Sequence, residues 1–549
     1  MQSWYSRMAA IGLGLAALGV CVPAMSQSEI VPTARIVDID WPEVAQSLLA
    51  LSKELAAPPK SFTAKQLTDV DRQLSRFIFS DKEKLRPLAI LKVLMADAVP
   101  GVANVPIPVL APIDTAGYVS ESVRMRRFRP NPVRAFFSPT ISRMQFLAKS
   151  TGYDIFLSLK PSSLGRYQTT TPLQIHLGGS GILYGVDSQD KSGGDAQRGT
   201  VVDDKTLEDL YPRLRRDLSD DGITYSFIKY GIPYFANISC SDETPSAAKI
   251  ARCAEAEEVL RTTLRELRLI GGAPLPIPAA KQVIPPRPTK KSPSFTYYAP
   301  GNLLPGTSQD GLGGVTQKYL WGASDLLFPI KLPPAYANSQ TFMHGGDCYG
   351  QKIPLDHGRY ECRQNPGKIL EPREDNMENY AFPWRDNYCE QRDDAGRMPK
   401  DCPARDRAHE GQDIRPRKCR YDGTRCKINL FDVVAVTKGS ALWKSESNNV
   451  KYVADDNTGV YFVYLHMDPD SLRRAGLKKD QAVARTRGQK IGKVGNWLKT
   501  TPNGTSAHLH FEIRNPNELC GKYGCTSAPY WTLIRSYERL IGMQGTEIQ

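Results

Sequence analysis

Ala507-His508-Leu509-His510-Phe511-Glu512-Ile513 alternates apolar and polar residues along its whole length. A period of two predicts a β-strand with one face in a core. Residues i and i+2 leave a strand on the same side, so His508 and His510 share one face with Glu512, while Leu509 and Phe511 pack on the other. Upstream, Phe431 to Val436, Val450 to Val453 and Val460 to His466 also read as strands, with Gly459 marking a turn. Leu477 to Ile491 reads as a turn and a short strand before Gly492. Strand after strand joined by turns predicts an antiparallel sheet, curled into an open barrel or a sandwich.

Histidine is scarce: the chain has seven, and four of them, His409, His466, His508 and His510, fall in this region in three short motifs. His409 and Asp413 are four apart, a spacing that suits a helix, but Gly411 between them argues for an irregular turn. A mononuclear zinc hydrolase needs three protein ligands and an open position for water. His409, Asp413 and one of the paired histidines supply that set. Tyr464, two residues before His466, is expected on the same strand face and is a candidate substrate contact. His344 and His357 are expected in loops among the cysteines.

The 549 residues exceed what one ordinary core organises, so two or three domains are expected. Hydrophobic content of 41% and charged content of 23% exclude a disordered or multi-span chain. Residues 1–26 read as a secretory signal peptide: Arg7 is the positive flank, Ala9 to Val20 the short apolar run, and Ala24-Met25-Ser26 the cleavage site. No other segment is apolar enough to span a bilayer, so the expected location is periplasmic or secreted. Setting Cys21 aside leaves ten of the eleven cysteines, an even number that in an exported chain suggests disulfides. Neighbours pair naturally as Cys240 with Cys253, Cys348 with Cys362, Cys389 with Cys402, Cys419 with Cys426 and Cys520 with Cys525, although sequence alone does not fix connectivity. The formal charge of +13 suits attraction to an anionic polymer such as a cell wall. It is dispersed, with no nucleic-acid-binding motif, so no nucleic acid is expected as a partner.

Residues 30–272 read as an α+β domain of unknown function. A capped amphipathic helix is expected over 38–56, with Asp40 and Pro42 at its start, and a second over 66–97. Val99 to Ile113 is expected to be extended. Strands are expected within 153–240, including a hairpin turning at Tyr230-Gly231-Ile232-Pro233. A helix is expected from Pro245 to Ile270, with Leu260, Leu264 and Leu267 on one face and Gly271-Gly272 as its stop. His176, alone in a strand, reads as a packed histidine. Residues 273–312 form a stiff proline-rich linker, and the second domain covers 313–549.

The C-terminal motifs resemble the catalytic domain of lysostaphin-type (LytM-like) zinc metallopeptidases, which cleave peptide bonds in peptidoglycan. Four elements occur in that family's order. They are Ala408-His409-Glu410-Gly411-Gln412-Asp413-Ile414, then Tyr464-Leu465-His466-Met467, then Gly488-Gln489-Lys490-Ile491-Gly492, then His508-Leu509-His510-Phe511-Glu512. Met467 stands where Leu is usual. The resemblance covers about 405–515 and implies a lysostaphin-like antiparallel sheet carrying one Zn2+ per chain. His409, Asp413 and His510 resemble the ligands, and His466 and His508 the two non-ligand catalytic histidines. The implied partners are peptidoglycan peptides, and the implied activity is an exported endopeptidase. The alternatives are a non-catalytic wall-binding or amidase-activating protein of the same fold, or a secreted peptidase acting on proteins.

Overall fold

The computed structural model describes residues 29–30, 33–54, 68–69, 71–72, 75, 99, 101–112, 141–159, 173–185, 200–201, 204–212, 214–219, 222–239, 247–278, 318–319, 326–331, 338–339, 351–354, 360–364, 368–369, 388, 409–415, 431–444, 447–455, 460–502, 505, 507–514 and 526–543. The signal-peptide reading, most of the helix expected over 66–97, and most of the linker and of the stretch 313–404 lie outside these residues. Each of the five expected cysteine pairs includes at least one residue outside them; Cys253 is disulfide-bonded.

The fold is mainly β, with antiparallel sheets dominating. In the N-terminal part, helix α1 (Trp41–Glu54) starts where its cap requires: the Asp40 carboxylate accepts from the Glu43 amide at 2.9 Å. Val102–Asn104 forms a single 3-10 turn before strand β1 (Val109–Pro112), so the stretch expected to be extended is interrupted once. The strands that follow are β2 (Ile141–Ala148), β3 (Gly152–Leu159), β4 (Gln174–Ser180), β5 (Arg215–Ser219), β6 (Gly222–Lys229) and β7 (Ile232–Ile238). They form a seven-stranded antiparallel sheet in the order β2-β3-β4-β7-β6-β5, with Thr200–Val201 at the edge.

The β6–β7 hairpin turns at Tyr230 and Gly231, both at positive φ (56° and 76°). That is the backbone twist a two-residue hairpin loop needs. Ile232 and Pro233 therefore belong to the strand. Helix α2 (Ala247–Arg265) is shorter than its leucine spacing suggests. Leu267 opens strand β8 (Leu267–Gly271), which pairs with β1. Leu260, Leu264 and Leu267 all reach one core, the last from a strand, because pairing with β1 overrides local helical spacing.

The C-terminal sheet uses β9 (Gln412–Arg415), β10 (Gly439–Trp443), β11 (Val450–Ala454), β12 (Tyr461–Leu465), β13 (Ala482–Arg485) and β14 (Leu509–Arg514). The strand order is Asn338–Ser339, β9, β14, β12, β11, β10, β13, with Thr526–Ser527 pairing β14, eight strands in all. The sheet is open rather than a closed barrel. Leu509, Phe511 and Ile513 of β14 enter a core with Val450, Tyr452, Phe462 and Tyr464 and with helix α3 (Tyr530–Met543), as alternation requires. On β14 the opposite face carries His510, Glu512 and Arg514. No helix among the described residues is long and apolar enough to cross a membrane.

Candidate metal centre

Two adjacent strands and one turn build the site. Asp413 on β9 lies directly opposite His510 on β14, and Leu465 on β12 lies opposite His510 on its other side. Directly opposed residues share a sheet face. His409 precedes β9 and folds back over the sheet through Gly411. A Cβ on Gly411 would lie 2.6 Å from both His510 Nε2 and the Phe511 carbonyl oxygen, so only glycine fits this approach.

His409 Nε2, His510 Nδ1 and Asp413 Oδ1 converge to a triangle with edges of 2.8, 3.0 and 3.0 Å. His508 Nε2 lies 3.4 Å from the same Asp413 oxygen. A tetrahedral zinc with bonds near 2.0 Å spaces its ligand atoms by about 3.3 Å. The triangle is slightly tighter than that, as expected where hydrogen bonds hold donors and acceptor together. Two imidazoles and one carboxylate form a typical zinc donor set, and all three residues are buried.

The far nitrogen of His510 settles which atom faces the triangle. Nε2 lies 3.0 Å from Glu512 Oε1, and the Arg514 guanidinium holds the other Glu512 oxygen at 2.6 Å. Arg514 in turn reaches Glu410 at 2.5 Å. Glu512 and Arg514 are buried, so this is a chain of alternating charge away from water. Burial works against ionisation of Glu512, but the charges of Arg514 and His510 hold its pKa below the usual carboxylate range. Without metal, burial lowers the His510 pKa, but hydrogen bonds donated to the Asp413 and Glu512 carboxylates dominate and raise it to about 10. Without a metal the protonated His510 ring is thus favoured between these carboxylates, and a bound metal would take the place of its Nδ1 proton. A Glu512 carboxylate accepting Nε2–H leaves Nδ1 as the free donor toward the triangle.

His466 reaches the site by a different route. It follows the end of β12 with φ 68°, a left-handed conformation uncommon for non-glycine residues. Strict alternation would place it beside Tyr464 in the core; the left-handed turn carries it out. Its ring packs against the site, tilted 4.5 Å from the His508 ring and edge-on 6.0 Å from the His510 ring between centroids. The turn is fixed by Trp497, whose amide donates to the His466 carbonyl at 3.2 Å and whose carbonyl accepts from His466 Nδ1 at 2.7 Å. A carbonyl only accepts, so Nδ1 carries the proton and Nε2 of the neutral ring is bare. Burial, followed by the nearby His508 and His510, pushes the His466 pKa well below its ordinary value. His466 is also the one partly exposed member of the five polar site residues, which puts it at the mouth.

Five residues picked out from the sequence therefore meet at one place: His409, Asp413, His466, His508 and His510. Tyr464 does not join them. It is fully buried in the core on the opposite face, with its hydroxyl 3.3 Å from the Val436 amide and 3.4 Å from the Val434 carbonyl. The expected shared face with His466 fails because the left-handed residue breaks the alternation. Arg514 and Glu410 were not singled out from the sequence; the i, i+2 spacing of Glu512 and Arg514 was the available signal. His176 is packed, as its lone position in a strand suggested, 2.7 Å from Asp154 and stacked on Phe156. No family model, curated protein or solved structure matches the chain.

Proposed function

We propose that this chain is an exported zinc-dependent endopeptidase that hydrolyses peptide bonds in peptidoglycan cross-links, with a lysostaphin-like catalytic sheet. The observation that carries the reading is the convergence of His409 Nε2, His510 Nδ1 and Asp413 Oδ1, with His466 and His508 packed beside them. The four motifs in lysostaphin order and the signal-like N-terminus supply the substrate class and the compartment.

Bound zinc supplies Lewis-acid polarisation of the scissile carbonyl and a lowered pKa for water. His409, Asp413 and His510 would hold it. His466, neutral with Nε2 bare, is poised to take a proton from the attacking water and return it to the leaving amine. His508, packed against His466 and Asp413, is placed to donate a hydrogen bond to the developing oxyanion. Glu512 and Arg514 fix the rotation of His510, so the ligand triangle is preorganised. No glutamate base of the His-Glu-x-x-His kind occurs in the sequence, which leaves proton transfer to the two histidines.

The test is digestion of purified sacculi by the mature chain, followed by muropeptide chromatography. Loss of cross-linked dimers, absent with a folded His510→Ala variant, is the expected result. Unchanged muropeptides from a zinc-loaded protein would overturn the substrate. Unchanged muropeptides with no bound zinc would favour a binding or amidase-activating role.

A further inference from the structure

The face of the C-terminal sheet that carries the metal triangle does not stay open. Across the sheet, His510, Glu512 and Arg514 lie opposite Leu465, Val463 and Tyr461. Val463 and Tyr461 then lie opposite Lys451 and Val453, and Lys451 lies opposite Leu442. All of these residues therefore share the metal-bearing face. Beyond His510 that face is covered by the N-terminal sheet. Phe156 shares one buried cluster with Leu442, Val453, Tyr461, Val463 and Leu465. His176 and Phe235 pack their rings on Tyr461, at 5.7 and 6.1 Å. The covering residues Gln145, Phe156, His176 and Asn237 lie opposite one another on β2, β3, β4 and β7, so the two sheets meet face to face.

Polar contacts fix the register of this packing. Gln145 accepts from the Ala482 amide at 2.7 Å and donates to its carbonyl at 3.1 Å. Lys444 donates to Ser239 at 2.6 Å, Lys451 reaches Asn237 at 3.4 Å, and Gln174 bonds Asp480. Lys444 and Lys451 are both buried. Separating the sheets would bare five adjacent large apolar side chains, a patch that soluble monomers rarely expose. Such an interface behaves as core, not as a lid.

We infer that the N-terminal sheet is a permanent wall of the metal site. It blocks a substrate from continuing across the sheet past β12, and so limits hydrolysis to bonds near a peptide end or branch. A continuous polypeptide laid across the strands, which needs room on both sides of the scissile bond, is excluded. The substrate part of this inference rests on the proposed peptidase reading; the wall itself does not.

The experiment places a specific protease site within residues 281–310 of the full chain and cuts there. The cut halves are expected to co-elute in gel filtration without denaturant. The cut enzyme should hydrolyse soluble cross-linked muropeptide dimers within threefold of the intact rate. Separation of the halves, or a rate rise above tenfold on cutting, would overturn the permanent wall in favour of a releasable cover. Denatured casein is the second probe. The intact chain should cut it at least a hundredfold more slowly than the dimers, and comparable rates would overturn the restriction. If the halves co-elute but neither probe is cut, the wall stands and the failure falls on the proposed peptidase activity.

Discussion

Among the described residues, buried histidine meets aspartate at two places, Asp154 and Asp413, and only the second has the form of a metal centre. His176 and Asp154 meet at 2.7 Å in the N-terminal sheet, much like His409 and Asp413 at 3.0 Å in the C-terminal one. Around the first pair the carboxylate charge is already balanced. Lys149 lies 2.5 Å from the second Asp154 oxygen, and Phe156, Phe235 and Tyr461 enclose the His176 ring. Around the second, three imidazole nitrogens crowd one aspartate oxygen, and a further carboxylate, Glu512, backs His510. The first arrangement neutralises a carboxylate with a protein cation; the second leaves a place where a cation is wanted. Proximity of His to Asp does not make a site, whereas convergence of several donors on one point does.

The largest effect expected from breaking this contrast is at His510. His510→Ala should remove bound zinc and lower hydrolysis by at least a thousandfold, read by metal analysis and muropeptide release. His176→Ala should leave zinc content and hydrolysis within about twofold. Its cost should instead be stability, about 3 kcal/mol in urea unfolding, from the cavity and the buried Asp154 left half-paired. Zinc lost from His176→Ala with the fold intact would mean the two pairs are not functionally distinct.

The pH response sharpens the same contrast. Burial first, then the Lys451 charge, lowers the His176 pKa to about 3 despite Asp154. The unfolded value is near 6.5, so the folded state prefers the neutral ring. This contribution is complete above about pH 6.5 and is lost as pH falls from there toward 3. Wild type should therefore lose about 2 kcal/mol more than His176→Ala between pH 7 and pH 5, measured by urea midpoints. Equal slopes would remove His176 as the titrating group.

Glu512→Gln tests the support behind the ligand. It should weaken zinc binding by about 10- to 100-fold in a competitive chelator titration, with His409, Asp413 and His510 still in place. Unchanged affinity would mean that Glu512 serves only to partner Arg514. The smallest effect is expected at Tyr464. Its hydroxyl contacts are long, so Tyr464→Phe should cost under about 1 kcal/mol in unfolding and leave hydrolysis unchanged. A fall in hydrolysis would return Tyr464 to the site.

The strands of the C-terminal sheet were legible because one face is buried and the period-two pattern survives intact through Leu509, Phe511 and Ile513. That His409, Asp413 and one of the paired histidines would converge was legible because histidine is scarce and clustered in the sequence, and His510 was singled out by the family resemblance. What escaped was set by tertiary geometry. The face of Tyr464 depended on one left-handed residue, His466, held there by Trp497. The end of α2 depended on β1, a strand more than a hundred residues earlier in the chain. The Arg514–Glu410 ion pair joins residues 104 apart, beyond the reach of any local pattern. The wall inferred beside the candidate metal site was hidden for the same reason: Phe156, His176 and Asn237 look like ordinary strand residues until a second sheet is laid on them.

X-ray absorption spectroscopy of the zinc-loaded full chain decides whether His409, Asp413 and His510 form one zinc centre. The expected result is one zinc per chain with only nitrogen and oxygen scatterers near 2.0 Å, an imidazole pattern for two histidines, and loss of that spectrum in His510→Ala. Sulfur scatterers near 2.3 Å, or a spectrum unchanged in His510→Ala, would place the metal elsewhere and contradict the account.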